Sequence, residues 1–243
     1  MKALILNSGI GKRMGEITKT HPKCMTELID DETIISRQLK LLEEVGVEDV
    51  VITTGPFEDK LIDYVDCLGL NLNIRFVNNR LYDKTNYIYS IHLAKDDLED
   101  DIVLMHGDLV FSKDVLEDVL SSETSCMTTS STLPLPEKDF KAVIKDGKIK
   151  KVGVEFFTDA EAAQPLYKLN KADWMKWLNA INNFCDKGMT NMYAENALNL
   201  VSDFTDIRPL DVQDRLCGEI DNLEDLENMR NRLNEEKRHG KTR

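Results

Sequence analysis

The chain is short of positive charge. Across 243 residues, 31 Lys and Arg stand against 44 Asp and Glu, a net charge of −13. A nucleic-acid ligand asks for the opposite balance on at least one face, so such a partner is not expected. A nucleotide is still allowed, because a local group of cations with a divalent ion overrides a negative global field at short range. Cysteine is scarce and scattered: Cys24, Cys67, Cys126, Cys185 and Cys217 form no C-x-x-C pair. That argues against a zinc site or disulfide framework and for reduced thiols, with Cys24 read as packing. With 12 Gly and 6 Pro, long disordered tracts are not expected. No apolar run approaches the ~18 residues of a membrane span. The first residues read as a strand rather than the apolar stretch of a secretion signal, so the expected location is cytoplasmic. His21, His92 and His239 fall in a loop, on a helix face and in the tail. No Ser-His-Asp or Cys-His arrangement is suggested, and covalent catalysis has no support.

The first half of the chain alternates strand and helix patterns. Apolar strands are expected at 3–6, 50–53, 72–77 and 102–105, separated by helices at 34–45, 61–67 and 87–98. Gly46 offers a C-cap to the first helix. Strands spaced by helices imply βαβ units, a parallel sheet and ligands at the carboxyl ends of its strands. The second half changes texture. A Thr- and Ser-rich strand is expected at 125–131, and Asp146-Gly147 marks a hairpin between 141–145 and 149–152. Helices are expected at 171–186, 191–201 and 224–236, with a late strand at 207–212. One domain is expected over residues 1–236, its acceptor-binding and lid elements at about 112–200, followed by a basic, frayed tail at 237–243. Trp174 and Trp177, three apart on a helix, read as a core stripe.

The first strand runs directly into Ser8-Gly9-Ile10-Gly11-Lys12-Arg13, and Pro22-Lys23 follows. A glycine loop lets backbone N–H groups approach a phosphate closely. Arg13 and Lys23 add a planar fork and a compact point charge, a pair suited to a triphosphate. The loop is not a Walker A sequence, since no Gly-Lys-Ser/Thr closes it. It is not the dinucleotide fingerprint either, since Met14 stands where the third glycine would be. Asp108 ends the fourth strand, where a carboxylate facing a phosphate loop is a Mg²⁺ ligand candidate. Glu219-Ile220-Asp221 offers the second carboxylate, because period-two alternation puts Glu219 and Asp221 on one face. Asn86 and Ser90 lie one helical turn apart and so share a face of their helix. Tyr167, Tyr193, Glu195 and Glu219 supply the aromatic faces and carboxylates that recognise an ammonium.

The stretch from Leu6 through Arg13-Met14, with Thr18 and then Pro22-Lys23, resembles the L-x-x-G-x-G-x-R-[ML]…P-K signature of nucleotidyltransferases. Ser8 stands where many members have Ala or Gly. Gly218-Glu219-Ile220-Asp221, Thr85-Asn86 with Ser90, Pro165-Leu166-Tyr167-Lys168-Leu169 and Tyr193-Ala194-Glu195 resemble the phosphocholine and 2-aminoethylphosphonate cytidylyltransferase branch. The resemblance runs from residue 1 to about 236 and is thin between 112 and 163. It implies an α/β fold of the nucleotide-diphospho-sugar transferase type, a Rossmann-like, mixed but mostly parallel sheet flanked by helices with a small inserted lid.

The implied reaction is Mg²⁺-dependent transfer of CMP from CTP to a small amine-bearing phosphate or phosphonate, with release of pyrophosphate. The resemblance places Asn7, Ser8, Gly9, Gly11, Asn86 and Ser90 on the nucleotide and Arg13 and Lys23 in catalysis. It places Asp108 and Asp221 on the metal, Lys168 on the acceptor phosphate, and Tyr167, Tyr193, Glu195 and Glu219 around the acceptor. The alternatives are a sugar-1-phosphate enzyme using UTP or dTTP and a non-catalytic nucleotide-sensing module. A homodimer is left open.

Overall fold

The computed structural model describes residues 1–240, with side chains through Arg238. Its centre is strand β1, Lys2–Asn7, whose apolar residues place Leu4 on one face of the sheet and Ala3 and Ile5 on the other, all of them buried. A strand covered on both faces reads as a continuous apolar run, as this one does. β2 (Asp49–Thr54) and β4 (Ile102–His106) flank it in parallel, with Leu6 opposite both Thr53 and His106. β3 (Asn73–Asn78) extends the parallel edge beyond β2. Helices α1 (Ile34–Glu44), α2 (Glu58–Cys67) and α3 (Tyr87–Leu93) make the crossovers. Thr33 caps α1 through a reciprocal bond with Ser36, and Gly46 ends it at φ 77°.

The short strand β5 (Leu109–Phe111) and helix α4 (Lys113–Ser121) follow β4 and precede β6 (Ser125–Ser130). A hairpin of β7 (Lys141–Lys145) and β8 (Lys148–Gly153) turns at Asp146-Gly147, with φ of 54° and 71°. β9 (Ala160–Leu169) runs antiparallel between β4 and β6 and also carries the hairpin. Pro165 sits where the β9–β6 register shifts, the kind of place where a central strand tolerates a residue without an N–H. Helices α5 (Lys171–Asp186) and α6 (Ala194–Val201) lead to β10 (Ile207–Asp211), which pairs in parallel with β6. The large sheet therefore reads β10-β6-β9-β4-β1-β2-β3.

One core packs α3, α5 and α6 against one face of the sheet, and a second packs α1, α2 and α4 against the other. Trp174 and Trp177 are fully buried in the first core, each indole N–H donating to a backbone carbonyl (Leu98 and Ala194). Cys24 is likewise buried packing. A third cluster joins Met14 of a 3-10 segment, Val110 of β5, Ile220 and the last helix, α7 (Leu223–Gly240).

Several boundaries differ from expectation. The helix begun at Tyr87 ends at Leu93 and gives way to a 3-10 turn at Lys95–Asp97. The helix expected from 191 starts at Ala194. The C-terminal helix continues to Gly240, so the first part of the expected frayed tail is helical, and 241–243 lie outside the described residues. Within 112–200, β6, β9 and α5 belong to the main layers, while Lys138, Asp139 and Phe140 just before the β7–β8 hairpin and Val154 just after it border the cavity described next.

Candidate active site

The register of the sheet brings the site together. β1 and β4 are parallel neighbours, so the glycine loop after Asn7 and the His106-Gly107-Asp108 corner emerge side by side. β5 pairs antiparallel with β11 (Cys217–Glu219), Leu109 opposite Glu219, and the Ile220 N–H donates to the Asp108 carbonyl at 3.0 Å. That ribbon closes a loop of more than a hundred residues and sets Asp221 beside Asp108. A cavity of about 440 Å³ opens above these ends.

Asn7, Ser8, Gly9 and Gly11 line the cavity. Gly11 has φ 68°, and a Cβ there would lie 3.1 Å from both Lys23 and Thr18 side-chain carbons. A Cβ on Gly9 would meet no protein atom within 4 Å, so its absence clears space in the cavity rather than in the protein. Gly55 at the end of β2 backs the loop so closely that a Cβ would fall 2.3 Å from the Ser8 carbonyl oxygen. The Ser8 hydroxyl lies 2.6 Å from that of Ser90, which also accepts from Asn79 at 3.0 Å. Ser90 is fully buried behind the loop and does not line the cavity. The expectation that it faces the nucleotide is corrected: it fixes Ser8. Asn86, the N-cap of α3, does line the cavity.

Lys23 is the hub. Its Nζ donates to Asp108 Oδ2 at 2.6 Å and to Asp221 Oδ1 at 2.8 Å, and Arg13 reaches the same Asp221 oxygen at 2.9 Å. Burial pulls the Lys23 ammonium down, but the charges of Asp108 and Asp221 outweigh it and hold its pKa above the usual 10.5. For Asp108 burial is again the largest influence, and Lys23 and His106 overcome it to leave the carboxyl below its usual 3.8. Two hard carboxylates that share one ammonium suit a Mg²⁺ ion, which favours one or two carboxylates together with phosphate oxygens. His106, Asp108 and Glu219 also present ligand atoms within 4.8 Å of one another, but imidazole is the poorer partner for that ion.

His106 is a cavity residue that the sequence reasoning missed. Its Nδ1 lies 2.9 Å from Glu219 Oε1, and its buried Nε2 has no partner among the described residues. Burial would lower the imidazole pKa, but the Glu219 bond and charge raise it to about 9. Burial and the Asp108 charge push the Glu219 carboxyl up to about 7. Asp139, also on the cavity wall, is raised by burial and by the charge of Asp221. An aromatic wall completes the cavity. Tyr87 lies 5.0 Å from His106 and 6.0 Å from Tyr193, and Phe140 lies 5.1 Å from Tyr193, centroid to centroid.

The expected acceptor cage is brought together only in part. Tyr193 and Glu219 line the cavity. Tyr167 and Glu195 are buried behind it: the Tyr167 hydroxyl donates to Glu195 at 3.1 Å, and Tyr87 donates to the other Glu195 oxygen. They hold Tyr87 in place rather than facing the cavity. Lys168 is a correction. Successive residues of β9 point to opposite faces, so Lys168 leaves Tyr167 on the side of α5 and buries its own ammonium on the Ser122 carbonyl under α4. Tyr87 and Phe140 line the cavity where Tyr167 and Glu195 do not.

A glycine loop and a cation–carboxylate hub at the carboxyl ends of a doubly covered α/β sheet belong to an enzyme that handles nucleotides, a nucleotidyltransferase. The chain belongs to the family of the MobA-like NTP transferase domain, whose model matches residues 3–134. It is 24% identical to the CTP:phosphoglutamine cytidylyltransferase of Campylobacter jejuni, over 93% of this chain and 98% of that one. It is 25% identical to the choline-phosphate cytidylyltransferase of Streptococcus pneumoniae, over 97% of this chain and all of that one. Among solved structures, the CTP:phosphocholine cytidylyltransferase of S. pneumoniae superposes with a TM-score of 0.76 at 20% identity, covering 96% of this chain and 98% of that one. The inositol-1-phosphate CTP transferase of T. maritima gives 0.78 at 22% identity, covering 96% and 95%. These superpositions bear out the Rossmann-like, mostly parallel fold.

Proposed function

We propose that this enzyme transfers CMP from CTP to a small amine-bearing phosphate or phosphonate, of the phosphocholine or 2-aminoethylphosphonate type, and releases pyrophosphate. The observation that carries the reading is one cavity that joins the Lys23–Asp108–Asp221 hub to the aromatic wall of Tyr87, Phe140 and Tyr193. The hub suits a phosphorus centre, and aromatic faces near a carboxylate suit an ammonium. The full-length relatives named for phosphoglutamine and choline phosphate support the same class.

In this reading the open side of Gly9 admits the nucleotide. Arg13, whose side chain is 63% exposed, swings to the β- and γ-phosphates. Lys23 meets the α-phosphate and the incoming oxygen, where negative charge gathers in the transition state. The acceptor oxyanion attacks the α-phosphorus as the bond to pyrophosphate breaks on the opposite side, and positioning rather than proton transfer limits the step. Asp108 and Asp221 would hold Mg²⁺, which when bound supplies charge neutralisation at the phosphates.

The test is pyrophosphate release with CTP, UTP, ATP and GTP against phosphocholine, phosphoethanolamine, 2-aminoethylphosphonate, phosphoglutamine and sugar 1-phosphates. CTP with an amine- or amide-bearing acceptor is the expected pair. Preference for UTP or dTTP with a sugar 1-phosphate overturns the proposal.

A further inference from the structure

With Lys168 turned away, the acceptor oxyanion loses the partner expected for it. The cations on the cavity wall are Lys12, Arg13, Lys23 and Lys138. Arg13 and Lys23 pair with Asp221 and Asp108. On the proposed reading they turn to the nucleotide phosphates, Lys23 meeting only the one acceptor oxygen that attacks, and Lys12 belongs to the glycine loop. Lys138 is exposed, and no carboxylate of the described residues lies in ion-pair range of it.

Lys138 stands on residues 131–140, which are fixed at two points. The fully buried Lys141 donates from Nζ to the Pro136 carbonyl at 2.6 Å. At the other end the Phe140 carbonyl accepts from Ala163 N–H at 3.0 Å, and the Phe140 ring is buried against Tyr193. Lys138 and Asp139 are thus held at the cavity wall, with an ammonium two positions before an aromatic face. Two residues of chain keep the Lys138 and Phe140 backbones within about 7 Å of each other, so both side chains serve the same stretch of the cavity.

We propose that Lys138 binds the phosphate or phosphonate oxygens of the acceptor, while Phe140 with Tyr193 receives its ammonium end. The inference rests on the reading of the acceptor above and narrows it to small zwitterions that carry both an ammonium and a phosphorus oxyanion. An acceptor without either charge leaves one of the two points empty.

The experiment takes the wild-type enzyme with the acceptor found in the panel and compares Lys138→Ala and Lys138→Arg. Loss of one charge-assisted contact predicts a KM for the acceptor raised roughly 10- to 100-fold in Lys138→Ala. The KM for CTP and the melting temperature stay at wild-type values, and Lys138→Arg recovers most of the acceptor affinity. An unchanged acceptor KM overturns the inference, as does a rise confined to CTP, which would make Lys138 a triphosphate ligand. If the wild-type enzyme transfers only to sugar phosphates, the reading itself has failed and this inference falls with it. If the wild-type enzyme accepts amino phosphates and Lys138→Ala matches it, only the inference has failed.

Discussion

Replacing Lys23 with methionine removes one charge from the centre of the site and keeps its volume. The Lys23 side chain is 11% exposed, and those of Asp108 and Asp221 are 22% and 13% exposed. Breaking a fully buried ion pair and leaving one partner behind costs about 3–5 kcal/mol. Here Arg13 stays 2.9 Å from Asp221, so Asp108 is the group chiefly stranded. A loss of roughly 2–3 kcal/mol at neutral pH is expected, a fall in Tm of about 4–12 °C for a chain of this size.

The pH dependence identifies the cause. In the wild type the Asp108 pKa is depressed, so its contribution is present above the ordinary 3.8 and is lost as pH falls through the lower folded value. In Lys23→Met the ammonium is gone and the His106 charge remains against burial, and burial, the largest influence, lifts the carboxyl above its ordinary value. The variant then weakens as pH rises, and its deficit against wild type should widen between about pH 4 and pH 7. Adding Asp108→Asn should restore most of the stability and none of the turnover. Initial rates of pyrophosphate release should show kcat lowered at least ~100-fold in both variants, the scale for one preorganised charge stabiliser. A near-normal kcat would remove Lys23 from the transition state. A Tm deficit that ignores pH would show that the loss comes from packing instead of charge.

Three further outcomes follow from the geometry. Asp108→Ala should abolish the Mg²⁺-dependent part of turnover across a Mg²⁺ titration, and a rate that still climbs with Mg²⁺ would refute its assignment. Gly55→Ala drives a Cβ toward a carbonyl oxygen 2.3 Å away, displacing the Ser8 backbone. Its kcat/KM for CTP should fall by ~10- to 100-fold, and wild-type kinetics would separate the loop from nucleotide binding. Lys168→Met should leave both KM values within about twofold while costing roughly 1–3 kcal/mol as the Ser122 carbonyl loses its donor. A raised acceptor KM with unchanged melting would return Lys168 to the cavity.

The sheet was legible because its strands are apolar runs between helices of regular period, and the Asp146-Gly147 turn announced its hairpin. β9 escaped because Pro165 argues locally against a strand, and only a register shift against β6 makes room for it. β5 and β11 are three residues each and pair across more than a hundred positions, a partnership that no window of sequence contains. In the site, residues carried by a motif that sits at a strand end reached the cavity: Gly9, Gly11, Lys23, Asp108 and Asp221. Residues inside a strand or helix did not follow so simply, since a motif names a position and not a face. Tyr167 and Lys168 are neighbours with opposite destinations, and Ser90 lies behind the loop that it was expected to face beside. His106 shares parity with Asp108 at the end of β4, and that alternation was the signal available for it. Phe140 and Lys138 had no such signal, because the segment that carries them has neither periodicity nor a recognisable motif.

The charge layout explains how an acidic chain receives an acidic substrate. The hub is close to neutral before any ligand arrives, with Lys23 and Arg13 set against Asp108 and Asp221, and Glu219 paired with His106. Among the described residues, the cavity cations without an ion-pair partner, Lys12 and Lys138, are at the exposed mouth, too few to offset a triphosphate against a net charge of −13. A nucleotide entering alone would turn Lys23 and Arg13 toward itself and strand two carboxylates in a partly buried cleft. A divalent cation entering alone would displace the Lys23 ammonium and strand that instead. On the proposed reading, each arrival removes the cost that the other imposes. On that reading, the carboxylates that oppose a nucleotide arriving alone make the site selective for nucleotide and metal together.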